Sequence, residues 1–355
     1  MKGFAGFVLG LLLFSPLAGS AAFTSFYMFG DGACCTDWNT NANALYYGKR
    51  YCNGRIWVEI LSQWQGLSYD SNKNHSYFGH YSDKLLTTLT NFPVATDSNT
   101  ALYGIWVCDA DFVNNASQFG SGLSQWTNAL NGTISNYWTA IQLLYNKGAR
   151  TFLIPNAADI GRVPAFNKSA DPTPTFIRLR TQEFNTNLVS LLDQARLAYP
   201  DATFYMPDTF ALLDMFVTNA ASFGLTNALY GGKSIDVLDD EAISSFALNG
   251  PGTNHIFWDP WHPTAMAHMW IADAAQKLLP PVQLTSLAHY SGSNRLDAIR
   301  VPVGRNGIVE TSTNLLSWST GPAFDSTNFV QSILVASTNA QEFYRLRFPF
   351  SWTWP

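Results

Sequence analysis

Apolar residues along this chain fall into two spacings. Phe26 to Phe29, Leu102 to Val107, Thr151 to Pro155 and Thr203 to Met206 are short, nearly continuous runs. Runs of that length predict strands covered on both faces. The long segments between them repeat at helical intervals, as in Trp57, Val58, Ile60, Leu61 and Trp64, and again in Phe184, Leu188, Leu191 and Leu192. Such alternation predicts an α/β fold, a parallel sheet sandwiched by helices. Ligands of these sheets bind beyond the carboxyl ends of the strands. Asp31, Asp109 and Asp111 fall there, although acids in such places also cap helices or hold loop amides.

The pattern changes after Leu279-Pro280-Pro281. Short alternating segments, among them Ile308 to Ser312 and Phe343 to Phe348, are separated by Asn, Gly and Ser turns, and predict a small all-β module over residues 282–355. At the other end, Met1-Lys2 is a short basic start, Phe4 to Leu17 an apolar stretch and Ala18 to Ala22 a run of small residues. Residues 1–22 therefore read as a signal peptide, 23–281 as the α/β domain, and the mature protein as secreted, periplasmic or extracellular. No later segment is long and apolar enough to span a membrane once the signal is cleaved.

Composition narrows the partners. Only 13% of residues are charged and 47% are hydrophobic, enough for a large core and against long disorder. A net charge of −5 with no Lys/Arg run excludes a nucleic-acid footprint. Neutral esters or carbohydrates fit better. Aromatic residues stack on sugars but are more often core.

Chemistry concentrates in Phe257-Trp258-Asp259-Pro260-Trp261-His262-Pro263-Thr264. An Asp three residues before a His, in a turn bounded by prolines, reads as an acid–base pair. The carboxylate fixes the imidazole tautomer and leaves the other ring nitrogen to take a proton from a nucleophile. The apolar run ending in Gly30-Asp31 is where that nucleophile belongs, and Gly32 follows without a side chain. Four cysteines, Cys34, Cys35, Cys52 and Cys108, are candidates for a relocated nucleophile. In an exported chain they are more readily disulfides, with three pairings open and Cys34 and Cys35 expected to reach separately to Cys52 and Cys108. The spacing of Asp31, Asp109, Asp259 and His262 diagnoses no metal site, and no metal or cofactor is expected. Asn74, Asn115, Asn131 and Asn167 begin Asn-x-Ser/Thr patterns, acceptors only in a glycosylating host.

These segments together resemble the GDSL, or SGNH, family of ester hydrolases from about Phe23 to Leu279. Phe29-Gly30-Asp31-Gly32-Ala33 stands where the family has Phe-Gly-Asp-Ser-Leu; Tyr47 to Glu59 is similar to its Asn-Gly-Arg-x-Trp-x-Glu stretch; Gly79 matches its second block; and Asp259-x-x-His262 its last. The third block has Cys108 for the family glycine and Ala110 for its asparagine. The resemblance implies a flavodoxin-like three-layer fold, Gly32 at the nucleophile position, and an oxyanion hole at Gly32, Gly79 and Ala110. Residues Val309 to Trp318 are also similar to short C-terminal β modules of exported bacterial proteins.

Without a hydroxyl at position 32, serine-type turnover falls on the order of a million-fold. The expected function is an exported GDSL-family ester hydrolase (lipase, esterase or acylhydrolase) with an atypical centre, acting on a small-molecule ester or acylated carbohydrate. One alternative is a pseudoenzyme that binds an acylated or carbohydrate ligand; another is a surface-associated structural or adhesive protein. The sequence assigns no oligomeric state.

Overall fold

A computed structural model describes residues 23–40, 44–337, 341–349 and 352–354, so the expected signal peptide lies outside the described residues. Four parallel strands, β1 (Phe26–Gly30), β2 (Leu102–Trp106), β3 (Thr151–Leu153) and β4 (Thr203–Tyr205), lie in sequential order in one sheet. Phe26 pairs with Leu102, Leu102 with Thr151, and Thr151 with Thr203. Each of the four apolar runs became a strand, and the later three outlast the strand by one or two residues because their ends turn into site loops.

Among the described residues seven helices cover the sheet: α1 (Trp57–Trp64), α2 (Ser82–Asn91), α3 (Cys108–Phe119), α4 (Leu123–Asn146), α5 (Pro174–Ala198), α6 (Thr209–Asn219) and α7 (Ala265–Leu278). Strand alternation decides which layer each residue meets. Phe26 and Trp106 face Trp57 of α1, with ring centroids 6.1 and 5.7 Å away. Tyr27 and Phe29 point the other way, to Phe92 at the end of α2, at 5.4 and 5.2 Å. Helix α1 packs on α7, while α2 packs on α4 and α4 on α5. This is the three-layer α/β arrangement, and α1 and α5 coincide with the helical spacings in the sequence.

A two-residue hairpin, β5 (Leu229–Tyr230) with β6 (Lys233–Ser234), precedes α7. After it come β7 (Gln283–Tyr290), β8 (Ser293–Ile299), β9 (Gly307–Ser312), β10 (Ser319–Phe324), β11 (Val330–Ala336) and β12 (Phe343–Arg347). They form two antiparallel sheets, β11-β8-β7 and β10-β9-β12, around Leu296, Val309, Ile333 and Val335. Arg305 fastens this region to the helices. Its guanidinium bonds Asp273 of α7 at 2.9 Å, donates to the Phe348 carbonyl at 3.1 Å, and lies 4.6 Å over the Trp64 ring of α1.

Arg305 and Asp273 are both buried, so removing the cation leaves a carboxylate in the interior with a solvent-exposed Lys277 as its remaining partner. Arg305→Ala should lower unfolding stability by about 3–5 kcal/mol, the usual consequence of breaking a buried pair. Urea denaturation measures it; a loss within experimental error would mean the C-terminal strands are not held through this contact.

Candidate active site

The turn before α7 is built to present one imidazole. Thr264 caps the helix by accepting the Ala267 N–H, and its hydroxyl donates to the His255 carbonyl at 2.6 Å. Asn53, from the Asn-Gly-Arg stretch, accepts the Ala265 N–H at 2.8 Å. Trp258 and His262 close the turn through an N–H to carbonyl bond of 2.8 Å. Within it, the Asp259 carboxylate accepts the backbone N–H groups of Trp261 and His262 at 2.9 and 2.7 Å, and His262 Nδ1 lies 2.9 Å from both carboxylate oxygens. The Tyr46 hydroxyl donates to the same carboxylate at 3.1 Å. Burial alone would raise the Asp259 pKa, but the imidazole and these N–H donors outweigh it and hold the carboxyl below its usual range. With Nδ1 engaged as donor, Nε2 is left as the acceptor.

Nε2 points at Gly32. A Cβ built on that glycine would sit 2.6 Å from it, closer than such contacts occur, so the imidazole fills the space where any other residue would begin. Tyr51 stacks on the ring at 4.8 Å with planes 15° apart, and Phe78 leans on it at 6.3 Å. Both restrict its retreat.

Three loops converge from the carboxyl ends of β1, β2 and β3. Asp31 caps the 3-10 turn Gly32–Cys34 through the Ala33 N–H at 3.0 Å and reaches α3 through the Ala110 N–H at 3.2 Å. Asp109, in the first turn of α3, accepts the Ala158 N–H of the loop after β3 at 3.0 Å. Asp111 instead accepts the Ser82 N–H and the Thr133 hydroxyl, both at 3.1 Å, and belongs to the packing of α2 on α4. Burial pushes Asp31 up to about 6, even though its amide partners and His262 favour the charge. Burial and then the Asp31 carboxylate push Asp109 well above the ordinary carboxylate range.

Between the loops lies a cavity of about 220 Å³ lined by Asp31, Gly32, Gly79, Asp109, Ala110 and His262 at one end. The rest of the wall is mostly apolar, including Val113, Ile160, Leu212, Phe216 and Ile256, with the Tyr81 and Thr209 side chains among them. Gly79 holds a φ of +73°, a conformation only glycine adopts without strain, so its place in the wall depends on its missing side chain. The cavity suits a small acyl group or similar apolar moiety with a polar end toward His262.

The fold thus brings together Gly32, Gly79, Ala110, Asp259 and His262. Ala110 offers no side-chain donor, and its N–H is engaged by Asp31. The cysteines depart from expectation: Cys34, Cys35, Cys52 and Cys108 are all buried free thiols. Each is turned to its own niche. Cys34 fills the space beside Gly30, Cys35 donates to the Gly32 carbonyl at 3.5 Å, Cys52 to Asn53 at 3.6 Å and Cys108 to Asp109 at 3.9 Å. Burial pushes all four thiols up, Cys35 to about 12, against the thiolate form that nucleophilic attack needs. Of the glycosylation patterns, Asn74, Asn115 and Asn167 are buried and Asn131 is exposed on α4. Sequence reasoning missed Tyr46 and the stacking of Tyr51. Both precede the Asn-Gly-Arg stretch, and their shared sequence signal is an aromatic cluster next to a recognised motif.

Residues 26–275 match the model of the GDSL-like lipase/acylhydrolase family. That span is most of the chain, and the protein belongs to this family. A GDSL esterase/lipase of Arabidopsis thaliana is 31% identical over 180 residues, covering 48% of this chain and 50% of its own. Thermolabile hemolysin of Vibrio parahaemolyticus is 23% identical over 245 residues, 66% of this chain and 56% of its own. The chain spans about half the length of the curated relatives it matches. Among solved structures, the α/β hydrolase LAE5 from a Lake Arreo metagenome resembles it at a TM-score of 0.42 and 12% identity, over 74% of this chain and 98% of that one. The acetylxylan esterase Axe2 of Geobacillus stearothermophilus resembles it at 0.41 and 11%, over 71% and 92%. Resemblances at that level carry no information about activity.

Two measurements check the site. In native protein near neutral pH the four thiols should resist a disulfide reagent, and all four should react once the chain is unfolded without reductant; fewer than four would indicate a bridge. Asp31 ordinarily ionises near 3.8 and in the fold near 6, so between those values the folded state keeps a proton that the unfolded chain has lost. Wild-type stability should therefore fall relative to Asp31→Asn as pH rises from 3.8 to about 6. Parallel urea titrations show this, and a constant difference between the two proteins across that window would contradict it.

Proposed function

We propose that this protein is an exported ester hydrolase of the GDSL family in which His262, held by Asp259, activates water in place of a serine. One observation carries the reading. The ring nitrogen not held by Asp259 faces a bare backbone at Gly32, inside a cavity whose remaining wall is mostly apolar.

Nε2 takes a proton from a water molecule, and the resulting hydroxide oxygen bonds the carbonyl carbon of the ester. The tetrahedral intermediate then expels the alkoxide, which leaves with the proton from Nε2–H, and the carboxylic acid is released. Asp259 keeps Nδ1–H in place and stabilises the positive ring between the two transfers. Backbone N–H groups at Gly32 and Gly79 are the proposed donors to the developing oxyanion. Substrates of this reading are small esters or acylated carbohydrates. Residues 1–22 serve as a cleaved signal, and residues 282–355 form a separate β module. Among the described residues no helix is long and apolar enough to cross a membrane.

A second reading, a pocket that binds an acyl ligand without turnover, draws support from the same crowding at Gly32: the imidazole occupies the nucleophile's place and no thiol substitutes for it. Purified protein assayed on short p-nitrophenyl esters separates the two. Hydrolysis should occur, and His262→Ala should lower kcat/KM by about a hundredfold or more, the scale of one general base. Activity unchanged by His262→Ala would reject the water mechanism, and ester binding without hydrolysis in the wild type would leave the binding protein as the function.

A further inference from the structure

The cavity contains an acid that the water mechanism leaves unused. Asp109 lies on its wall beside Ala110, where a side-chain donor to the oxyanion is lacking. One of its oxygens, Oδ1, is tied back to the Ala158 N–H and the Cys108 thiol, which fixes the carboxyl plane. The other, Oδ2, has no hydrogen-bond partner among the described residues, and the residue is only partly covered because the cavity opens onto it.

We propose that Asp109 takes the donor role that Ala110 cannot fill, offering an O–H from its free oxygen to the carbonyl oxygen of the bound ester. This rests on the ester-hydrolysis reading of the same site. The titratable groups close to Asp109 are Asp31 on the loop after β1, Cys34 in the turn that follows it and Cys108 beside it on α3, and Tyr81 before α2 and His262 on the turn before α7 share its cavity. The loop after β3 contributes the uncharged Ala158 and Ile160. Asp31 cannot supply the donor, because its two oxygens accept the Ala33 and Ala110 N–H groups and that favours its ionised form. A second carboxylate next to it in an apolar cavity keeps its proton, since like charges at one buried site cannot both ionise cheaply. Burial together with Asp31 accordingly holds Asp109 well above the normal range. The amino-terminal turn of α3 opposes this, a small term beside the desolvation of a carboxylate against an apolar wall. A neutral acid in an apolar site donates a strong hydrogen bond to an oxyanion.

The test pairs kinetics with a readout that needs no turnover. Asp109→Asn keeps a donor of similar shape and should retain wild-type kcat within a few-fold, while Asp109→Ala should lose kcat by about a hundredfold with KM little changed, the scale of one oxyanion donor. Wild-type activity should fall on the alkaline side as the acid ionises, and Asp109→Asn should lack that limb. For the second readout, a carbonyl-labelled methyl ester is bound to His262→Ala, which suppresses hydrolysis. Its infrared carbonyl band should shift to lower frequency, and the shift should vanish in His262→Ala with Asp109→Ala. Full kcat in Asp109→Ala, or a carbonyl band indifferent to Asp109, overturns the proposal. A wild type that hydrolyses no ester yet shows the Asp109-dependent band shift rejects the hydrolytic reading and keeps Asp109 as the donor that holds the ligand.

Discussion

The Asp259–His262 contact is the constraint around which the rest of the site is arranged. A carboxylate that accepts two backbone N–H groups, an imidazole N–H and a tyrosine hydroxyl has little freedom left, and neither has the ring it holds. The turn is anchored in its own right by Thr264 and Asn53 at the start of α7. Asn53 in turn accepts the Trp354 indole N–H through its carbonyl at 2.9 Å, so the last described residues of the chain lie two hydrogen bonds from the turn before α7. A buried polar network in which every member is satisfied is rigid, and rigidity is what a positioned base requires.

That rigidity explains why position 32 matters more than its missing side chain. A ring free to swing would make room for a Cβ; this one is pinned by Asp259 on one edge and by Tyr51 across its face. Glycine is therefore matched to the imidazole's position by close approach. The apolar wall has a second effect, because low polarity raises the cost of each charge placed in it. Asp31 and Asp109 meet that cost differently. Burial raises both, but two amides and His262 hold the first to about 6 while the Asp31 carboxylate adds to burial at the second, so two neighbouring carboxyls are shifted unequally by their surroundings.

The fold layers support this division of labour. Residues that point from β1 and β2 toward α1 and those that point toward α2 are equally apolar, as the continuous runs require, and the loops at the strand ends carry the polar groups. The C-terminal sheets bury a four-residue apolar cluster of their own, and Arg305 on Asp273, the Val303 N–H on the Trp64 carbonyl and Trp354 on Asn53 are among the contacts that join them to the α/β layers.

The sequence by itself determined the strands, since short apolar runs have few other ways to be buried, and it determined the Asp259–His262 pair, since three residues in a proline-bounded turn fix their distance locally. It also placed Gly32 and Ala110 at the positions where the family resemblance expects a serine and an asparagine. Whether Cys34, Cys35, Cys52 and Cys108 pair was decided only by tertiary structure, because disulfide formation depends on how Cβ vectors meet across loops, and here each thiol faces a different niche. Tyr46 and Tyr51 reach His262 and its carboxylate across roughly two hundred residues of chain, a separation without periodic trace in the sequence. The unequal upward shifts of Asp31 and Asp109 were likewise invisible. Two aspartates after two strands look alike in a sequence, and what separates them is which amides reach them and how much water the cavity excludes.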